Sequence, residues 1–324
     1  MQPLPALPQP SAGSGSHDPA SKRALRTAVL QEVRDLWALS WPILVGQLAT
    51  LGMAVTDVAM AGHASAQDLA GVALGVAIWN IIMITLIGLM LSVAPLVAHH
   101  VGAREYAPIA HVVRQGLWKA LGMGLAAWLL ANLSAQVFYA MNLEPSVRLV
   151  AVRFVHVISF ALPAFACYRV FYAYSASLDQ TKPMMVIALI SLLLNALVNW
   201  LLVFGHAGLP ALGGVGCAWA SLLCIWFSAL ALFAWTRFAP AYRSTWPLAR
   251  FEPPHWETLR RLLRLGLPIG VAYFAETTAF ALIALLIARF GSTQVAAHAI
   301  ALNFTSLVFM VPLSLGMGLL TRIG

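Results

Sequence analysis

The sequence predicts an all-α polytopic membrane protein with eight transmembrane helices, on three observations. The 324 residues are 61% hydrophobic and 9% charged, with a mean hydropathy of +0.83, whereas soluble domains carry about 25% charged residues. Eight apolar stretches, 36–60, 70–98, 112–138, 147–174, 184–204, 212–236, 265–289 and 294–321, recur along the chain, each near or above the about 20 residues a helix needs to cross a bilayer. With the N-terminus in the cytoplasm, most of the 19 Lys and Arg residues fall on or near the inner side, with Arg148, Arg153 and Arg289 outside. Removing any one helix would scramble that bias, so it supports the span count as well as the orientation.

The formal net charge of +8 is not read as a nucleic-acid signal. The basic residues lie between apolar spans and form no aromatic-interleaved patch. Residues 1–30 open with MQPLPALPQPSAGSGSHDPA, which lacks the apolar core of a signal peptide. They read as a disordered cytoplasmic tail. Residues 31–236 then carry the first six spans as one N-terminal lobe. The three cysteines, Cys167, Cys217 and Cys224, sit inside apolar spans with no close Cys/His cluster, so neither a disulfide framework nor a zinc site is expected. Cys217 and Cys224, seven apart, share a helix face and read as packing residues.

The first span, LWALSWPILVGQLATLGMAVTDVAMAG, holds one carboxylate in its apolar region, Asp57, about one turn from the outer end. Two readings stand: an interfacial Asp reaching external water, or a cavity-facing proton or cation site. Gln47 and Thr50 are weaker polar candidates for a substrate cavity. In the second span Gly71 and Gly75 have the spacing that permits close helix contact. The fourth contains Arg169, an intramembrane cation towards its inner end. The fifth places Asn195 and Asn199 four apart on one face, at the depth of Asp57. Buried amides need partners, and an inward-facing carboxylate is one, although amides also join helices. Prolines Pro42, Pro95, Pro163, Pro268 and Pro312 lie within spans and can kink them.

Residues 237–264 are the most polar connection, with Pro253-Pro254 followed by a basic amphipathic run, and read as a cytoplasmic linker on the membrane surface. The seventh span, between Arg264 and Arg289, has one charged residue, Glu276. A charge near the bilayer centre costs roughly 2.5–3.5 kcal/mol on insertion scales, so Glu276 is expected to face a polar cavity or partner. The eighth span contains His298 and Asn303, the latter a further cavity candidate. Trp41-Pro42-Ile43 matches Leu267-Pro268-Ile269, and Leu69-Ala70 matches Val295-Ala296 at the same offset. Such repeats are common in transporters. Residues 265–324 then read as the first two helices of an incomplete C-terminal lobe. No Walker A, Ser/His/Asp or HExxH pattern occurs, and no enzyme is expected.

WPILVGQLATLGMAVTDVAMAG (41–62), NALVNWLLVFGHAGLPALGGVGCAWA (195–220), GLPIGVAYFAETTAFALIALLIARFG (266–291) and VAAHAIALNFTSLVFMVPLSLGMGLLTRIG (295–324) together resemble the multidrug and toxic compound extrusion (MATE) family, in particular its NorM-like branch. The resemblance covers 36–324. It implies a MATE-like helical bundle with eight of an expected twelve transmembrane helices. It also implies a monomeric secondary antiporter of the bacterial-type inner membrane, exporting small cationic organic compounds by alternating access. No cofactor is implied beyond a coupling ion, Na⁺ or H⁺. Asp57 matches the family's first-helix acid, Asn195 and Asn199 its fifth-helix polar pair, and Glu276 its seventh-helix carboxylate. Na⁺ would bind at Glu276 or Asp57. Ala299 stands where the family often has Gln. The alternatives are a lipid-linked oligosaccharide flippase of the same superfamily, and a non-transporting fragment.

Overall fold

The computed structural model describes residues 19–287 and 292–323, and no strand occurs among them. The chain runs α1 (Pro19–Ala64), α2 (Ala66–Met90), α3 (Val93–Gly102), α4 (Tyr106–Ser134), α5 (Val137–Ala140), α6 (Pro145–Ser159), α7 (Leu162–Ser177), α8 (Lys182–Phe204), α9 (Gly214–Phe238), two 3-10 turns (Pro240–Tyr242 and Pro247–Ala249), α10 (Trp256–Ile287) and α11 (Ser292–Ile323). Five described helices or helix runs are long and apolar enough to cross a membrane, or six when the bent pair α6–α7 counts as one span. The two remaining expected stretches lie on α10 and α11, each 32 residues long. Leu121, Leu125, Leu129 and Leu133 form an exposed ridge on α4, the surface a lipid-facing helix presents. This is a multi-pass membrane protein.

Two boundaries differ from expectation. Residues 19–30, expected within the disordered tail, are helical. The stretch from Ser21 to Leu30 contains no Gly or Pro and is built largely of helix-forming Lys, Arg, Ala and Leu. Residues 1–18 lie outside the described residues. The linker also ends early, because α10 begins at Trp256 rather than 265. Pro253-Pro254 stops the extended chain, and Glu257 in the first turn suits the positive end of the helix dipole. The basic run expected on the membrane surface is therefore the opening of α10.

Two expected single spans are broken. α2 gives way to α3 at Leu91–Ser92, and α6 gives way to α7 at Phe160–Ala161 with a bend of 45°. Each break lies within four residues before a proline, Pro95 or Pro163. A proline ring clashes with the carbonyl four residues back and removes one hydrogen bond, which places the interruption there. Pro42, Pro268 and Pro312 lie inside continuous helices.

α1 packs mainly on α8, α8 on α9, α2 on α6 and α10, and α4 on α7, while α11 packs on α1. The glycine spacings set the closest crossings. A Cβ at Gly75 would lie 2.5 Å from the Phe154 ring on α6, and one at Gly71 would lie 2.6 Å from Val150 Cβ. A Cβ at Gly88 would lie 2.9 Å from Gly270 Cα, so α2 and α10 meet backbone to backbone.

The linker is tied to α4. Glu252 is 2.6 Å from Arg114 and 2.7 Å from His111, and its backbone carbonyl accepts from Trp118 Nε1 at 3.0 Å. Gln115 is fully buried; its amide donates to the Pro253 carbonyl at 3.1 Å and accepts from the His255 N–H at 2.7 Å. Lys119 donates to the Leu89 carbonyl, to Ser92 and, at 3.5 Å, to the Leu262 carbonyl of α10. Side chains of α4 thus hold the second half of the linker and the start of α10, while Tyr174 of α7 hydrogen-bonds Thr245 in its first half at 2.6 Å.

Candidate buried carboxylate site

Asp57 lies two turns from the end of α1, where α1 is covered by α8 and α9. Its side chain is buried, 8% exposed. Asn199 Nδ2 donates to Asp57 Oδ1 at 2.6 Å and Asn195 Nδ2 donates to the same oxygen at 3.1 Å. Ser221 Oγ, from α9, donates to Oδ2 at 2.6 Å. Both amides are fully buried, and Asn199 also donates to Asn195 Oδ1 at 3.2 Å. Cys217 Sγ donates to the Asp57 backbone carbonyl at 3.4 Å.

The local sequence explains this convergence. Asn195 and Asn199 lie one turn apart on α8, and Ser191 extends the same line by a further turn. On α9, Cys217, Ser221, Cys224 and Ser228 repeat at helical spacing. Ser191 and Ser228 hydrogen-bond at 2.8 Å, and Cys224 Sγ donates to the Ser191 carbonyl at 3.5 Å. A polar seam therefore runs between α8 and α9 and ends on Asp57. Three donors on two oxygens match what an ionised carboxylate accepts. No basic side chain pairs with Asp57 among the described residues. Neutral dipoles alone surround its oxygens, and Asn199 Oδ1 in the same cluster has no partner.

The chemistry open to such a group is cation exchange. A proton can bind either oxygen once a donor is released. Na⁺ takes oxygen ligands, and Asn199 Oδ1 is one not already engaged. No group of three His, Cys, Asp or Glu side chains that could hold a metal ion occurs among the described residues.

The other predicted residues lie elsewhere. Glu276 is on α10, exposed, and has no hydrogen bond or ion pair among the described residues. α10 packs on α2 and α4, not on the helices around Asp57. Gln47 is half-buried on α1. Thr50 is exposed, and its hydroxyl donates to the Gly46 carbonyl one turn back at 3.0 Å. Asn303 is on α11, and its side chain lies outside the described residues, as does that of Ala299. Sequence reasoning missed Ser221. The available signal was its position on the face already shared by Cys217 and Cys224.

The MatE family pattern matches residues 42–201 and 268–324. Multidrug resistance protein PmpM of Pseudomonas aeruginosa is 40% identical over 303 residues, which cover 93% of this chain and 63% of PmpM. A probable multidrug resistance protein NorM of Geobacillus kaustophilus is 41% identical over 296 residues, 90% of this chain and 64% of that protein. The chain thus spans a little under two thirds of the length of these relatives. Among solved structures, the MATE transporter NorM-NG, solved in complex with a monobody, superposes with a TM-score of 0.73 at 31% identity, over 88% of this chain and 62% of that one. The eukaryotic MATE transporter AtDTX14 shares the fold, with a TM-score of 0.81 at 19% identity over 91% of this chain and 65% of that chain. From the helical bundle, the buried carboxylate seam and a family pattern that spans more than half its residues, the chain belongs to the MatE (multidrug and toxic compound extrusion) family.

Proposed function

We propose that the chain works in a secondary active antiporter that exports cationic organic compounds in exchange for Na⁺ or H⁺. The observation that carries this reading is Asp57: a buried carboxylate in a membrane-spanning helix, held by Asn195, Asn199 and Ser221, with no basic partner among the described residues. Ionisable groups kept within membrane helices mark ion and substrate pathways. Loss or gain of a positive ion at Asp57 changes what the neighbouring space attracts, which couples ion and substrate across two conformations. Glu276 is the second carboxylate of the reading, and its exposure on α10 leaves it free to meet an ion or a substrate. Relatives at about 40% identity carry multidrug resistance names, and NorM-NG is described as a MATE transporter. The reading places the N-terminus in the cytoplasm, the protein in a bacterial inner membrane as a monomer, and no catalytic step in its cycle.

The test is drug uptake into everted membrane vesicles containing the complete transporter, with Na⁺ and pH gradients imposed separately. One gradient is expected to drive uptake, and Asp57→Asn and Glu276→Gln are each expected to lower it about ten-fold or more, equivalent to about 1.4 kcal/mol of lost coupling. Full uptake in either variant at equal expression removes that residue from the mechanism. Uptake that needs neither gradient overturns antiport.

A further inference from the structure

The corner where α1 turns into α2 grips α9 at a second carboxylate. Asp68, in the first turn of α2, accepts from the Gly214 N–H at the start of α9, with 2.7 Å to Oδ1. Its other oxygen is fixed locally. Ser65 caps α2, donating to Asp68 Oδ2 at 2.7 Å and accepting from the Asp68 N–H at 2.9 Å. No basic side chain pairs with Asp68 among the described residues. What faces it is the positive end of the α9 dipole.

The approach depends on glycine. Gly213 has a φ of +55°, and a Cβ there would lie 2.7 Å from Asp68 Oδ1. A Cβ at Gly214 would lie 2.7 Å from Val72 of α2. On the other side, the Leu212 and Gly213 N–H groups donate to the Leu202 and Val203 carbonyls of α8 at 2.9 and 3.3 Å. α9 therefore enters the bundle at a fixed height between α2 and α8. Gly214, Cys217 and Ser221 then follow one another along a single face of this unbroken helix. On that face Gly214 meets Asp68, Cys217 meets the Asp57 carbonyl at 3.4 Å, and Ser221 meets Asp57 Oδ2 at 2.6 Å. Gly214 and Ser221 are about 10.5 Å apart along the axis at 1.5 Å per residue. Over two turns a helix moves as one piece, so the hold on its first residue sets where the Ser221 hydroxyl stands.

We infer that Asp68 is a positioning residue for the ion site: it anchors the start of α9 and so holds Ser221 on Asp57. The inference rests on the reading of Asp57 as the cation-exchanging group. In this role Asp68 touches neither ion nor substrate and acts only through α9, while Ser65 orients Asp68 in turn.

The experiment is a double-mutant cycle between positions 68 and 221. It measures the half-saturating concentration of the coupling ion for drug uptake by the complete transporter in everted vesicles, at matched expression. Ser221→Ala and Asp68→Ala are each expected to shift that concentration about five-fold or more in the same direction. The double variant is expected to lie within about two-fold of either single one, because both changes remove the same bond to Asp57. Asp68→Asn keeps an oxygen for the Gly214 N–H and is expected to stay within about three-fold of wild type. Ser65→Ala frees the Asp68 carboxylate to turn and is expected to give a smaller shift of the same sign; it takes the place of Asp68→Ala in the cycle if that variant does not fold. Shifts that multiply in the double variant, shifts of opposite sign, or wild-type ion dependence in either single variant overturn the inference and leave the antiport reading standing. Full ion-coupled uptake by Asp57→Asn overturns that reading and the positioning role with it.

Discussion

Inside a membrane-spanning helix, three neighbouring side chains supply Asp57 with the donors that water would. Removing one donor tests that statement at the level of a single bond. Ser221→Ala leaves Asp57 Oδ2 without its 2.6 Å partner, and an unsatisfied buried acceptor costs about 1–3 kcal/mol, more for a charged group. The expected result is a lower thermal midpoint in detergent and a shift in the ion dependence of transport, while Ser221→Thr, which keeps the hydroxyl, stays close to wild type. A Ser221→Ala protein with unchanged midpoint and ion dependence would show that this hydroxyl does not hold the carboxylate. Much of the cluster was legible beforehand. Asn195 and Asn199 are four apart, at the depth of Asp57, and an amide pair on one face of an apolar helix has few other partners. Ser221 was legible only through the face it shares with Cys217 and Cys224, a weak signal because a hydroxyl in a membrane helix often bonds its own backbone, as those of Thr50, Thr56 and Thr85 do here. The exposure of Glu276 was also beyond the sequence, since the charge of a side chain does not say which helix will cover it.

Individual helices show where local chemistry decides structure and where packing overrides it. Pro95 and Pro163 break their spans, whereas Pro42, Pro268 and Pro312 lie in continuous helices, so proline content alone did not locate the breaks. The early start of α10 was likewise hidden, because a basic amphipathic run fits a surface linker and a helix opening equally well. What separates the two is long-range. His111, Arg114, Gln115 and Trp118 of α4 reach the linker between Pro247 and His255 and fix the point where the helix starts. Within this network the Glu252 carboxyl is held below the usual carboxylate range, first by its hydrogen bond to His111 and then by Arg114. A carboxylate with a depressed folded pKa contributes stability that is present above its unfolded value, about 4.5, and is lost as pH falls through the folded value. Glu252→Gln is therefore expected to be less stable than wild type at neutral pH, with the difference closing below pH 4.5. Thermal midpoints measured from neutral pH downwards check this; a gap that widens in acid would contradict the assigned ion pairs.

At the scale of the molecule, the weak repeat between the first and seventh spans has a structural counterpart. The repeat relates α1 to α10 and α2 to α11. An exchange of the two halves would therefore turn an α1–α11 contact into an α10–α2 contact, and these are the two most extensive of the ways in which the last helices pack on the rest. The close approach of Gly88 and Gly270 at one of these crossings rests on glycines at both surfaces. The overall class was the most legible property of all, because an apolar composition with charges confined to connections leaves little besides a helical bundle in lipid. The charge bias also makes an orientation testable. Glu105, between α3 and α4, and Glu144, between α5 and α6, are both exposed. Single cysteines at these positions, with Cys167, Cys217 and Cys224 replaced by Ala, are expected to react with an impermeant thiol reagent from opposite sides of the membrane, position 105 from the cytoplasm and position 144 from outside. Labelling of both from one side would overturn the span count between them.

Asp57 as the group that exchanges a cation for a substrate is the claim on which the functional account turns. Ion flux driven by substrate in proteoliposomes, recorded for the complete transporter with H⁺ and Na⁺ followed separately, measures that exchange itself. Wild type is expected to move one of the two ions against the substrate, and Asp57→Asn to move neither while it still folds and reaches the membrane. Undiminished ion movement without the carboxylate would contradict the account.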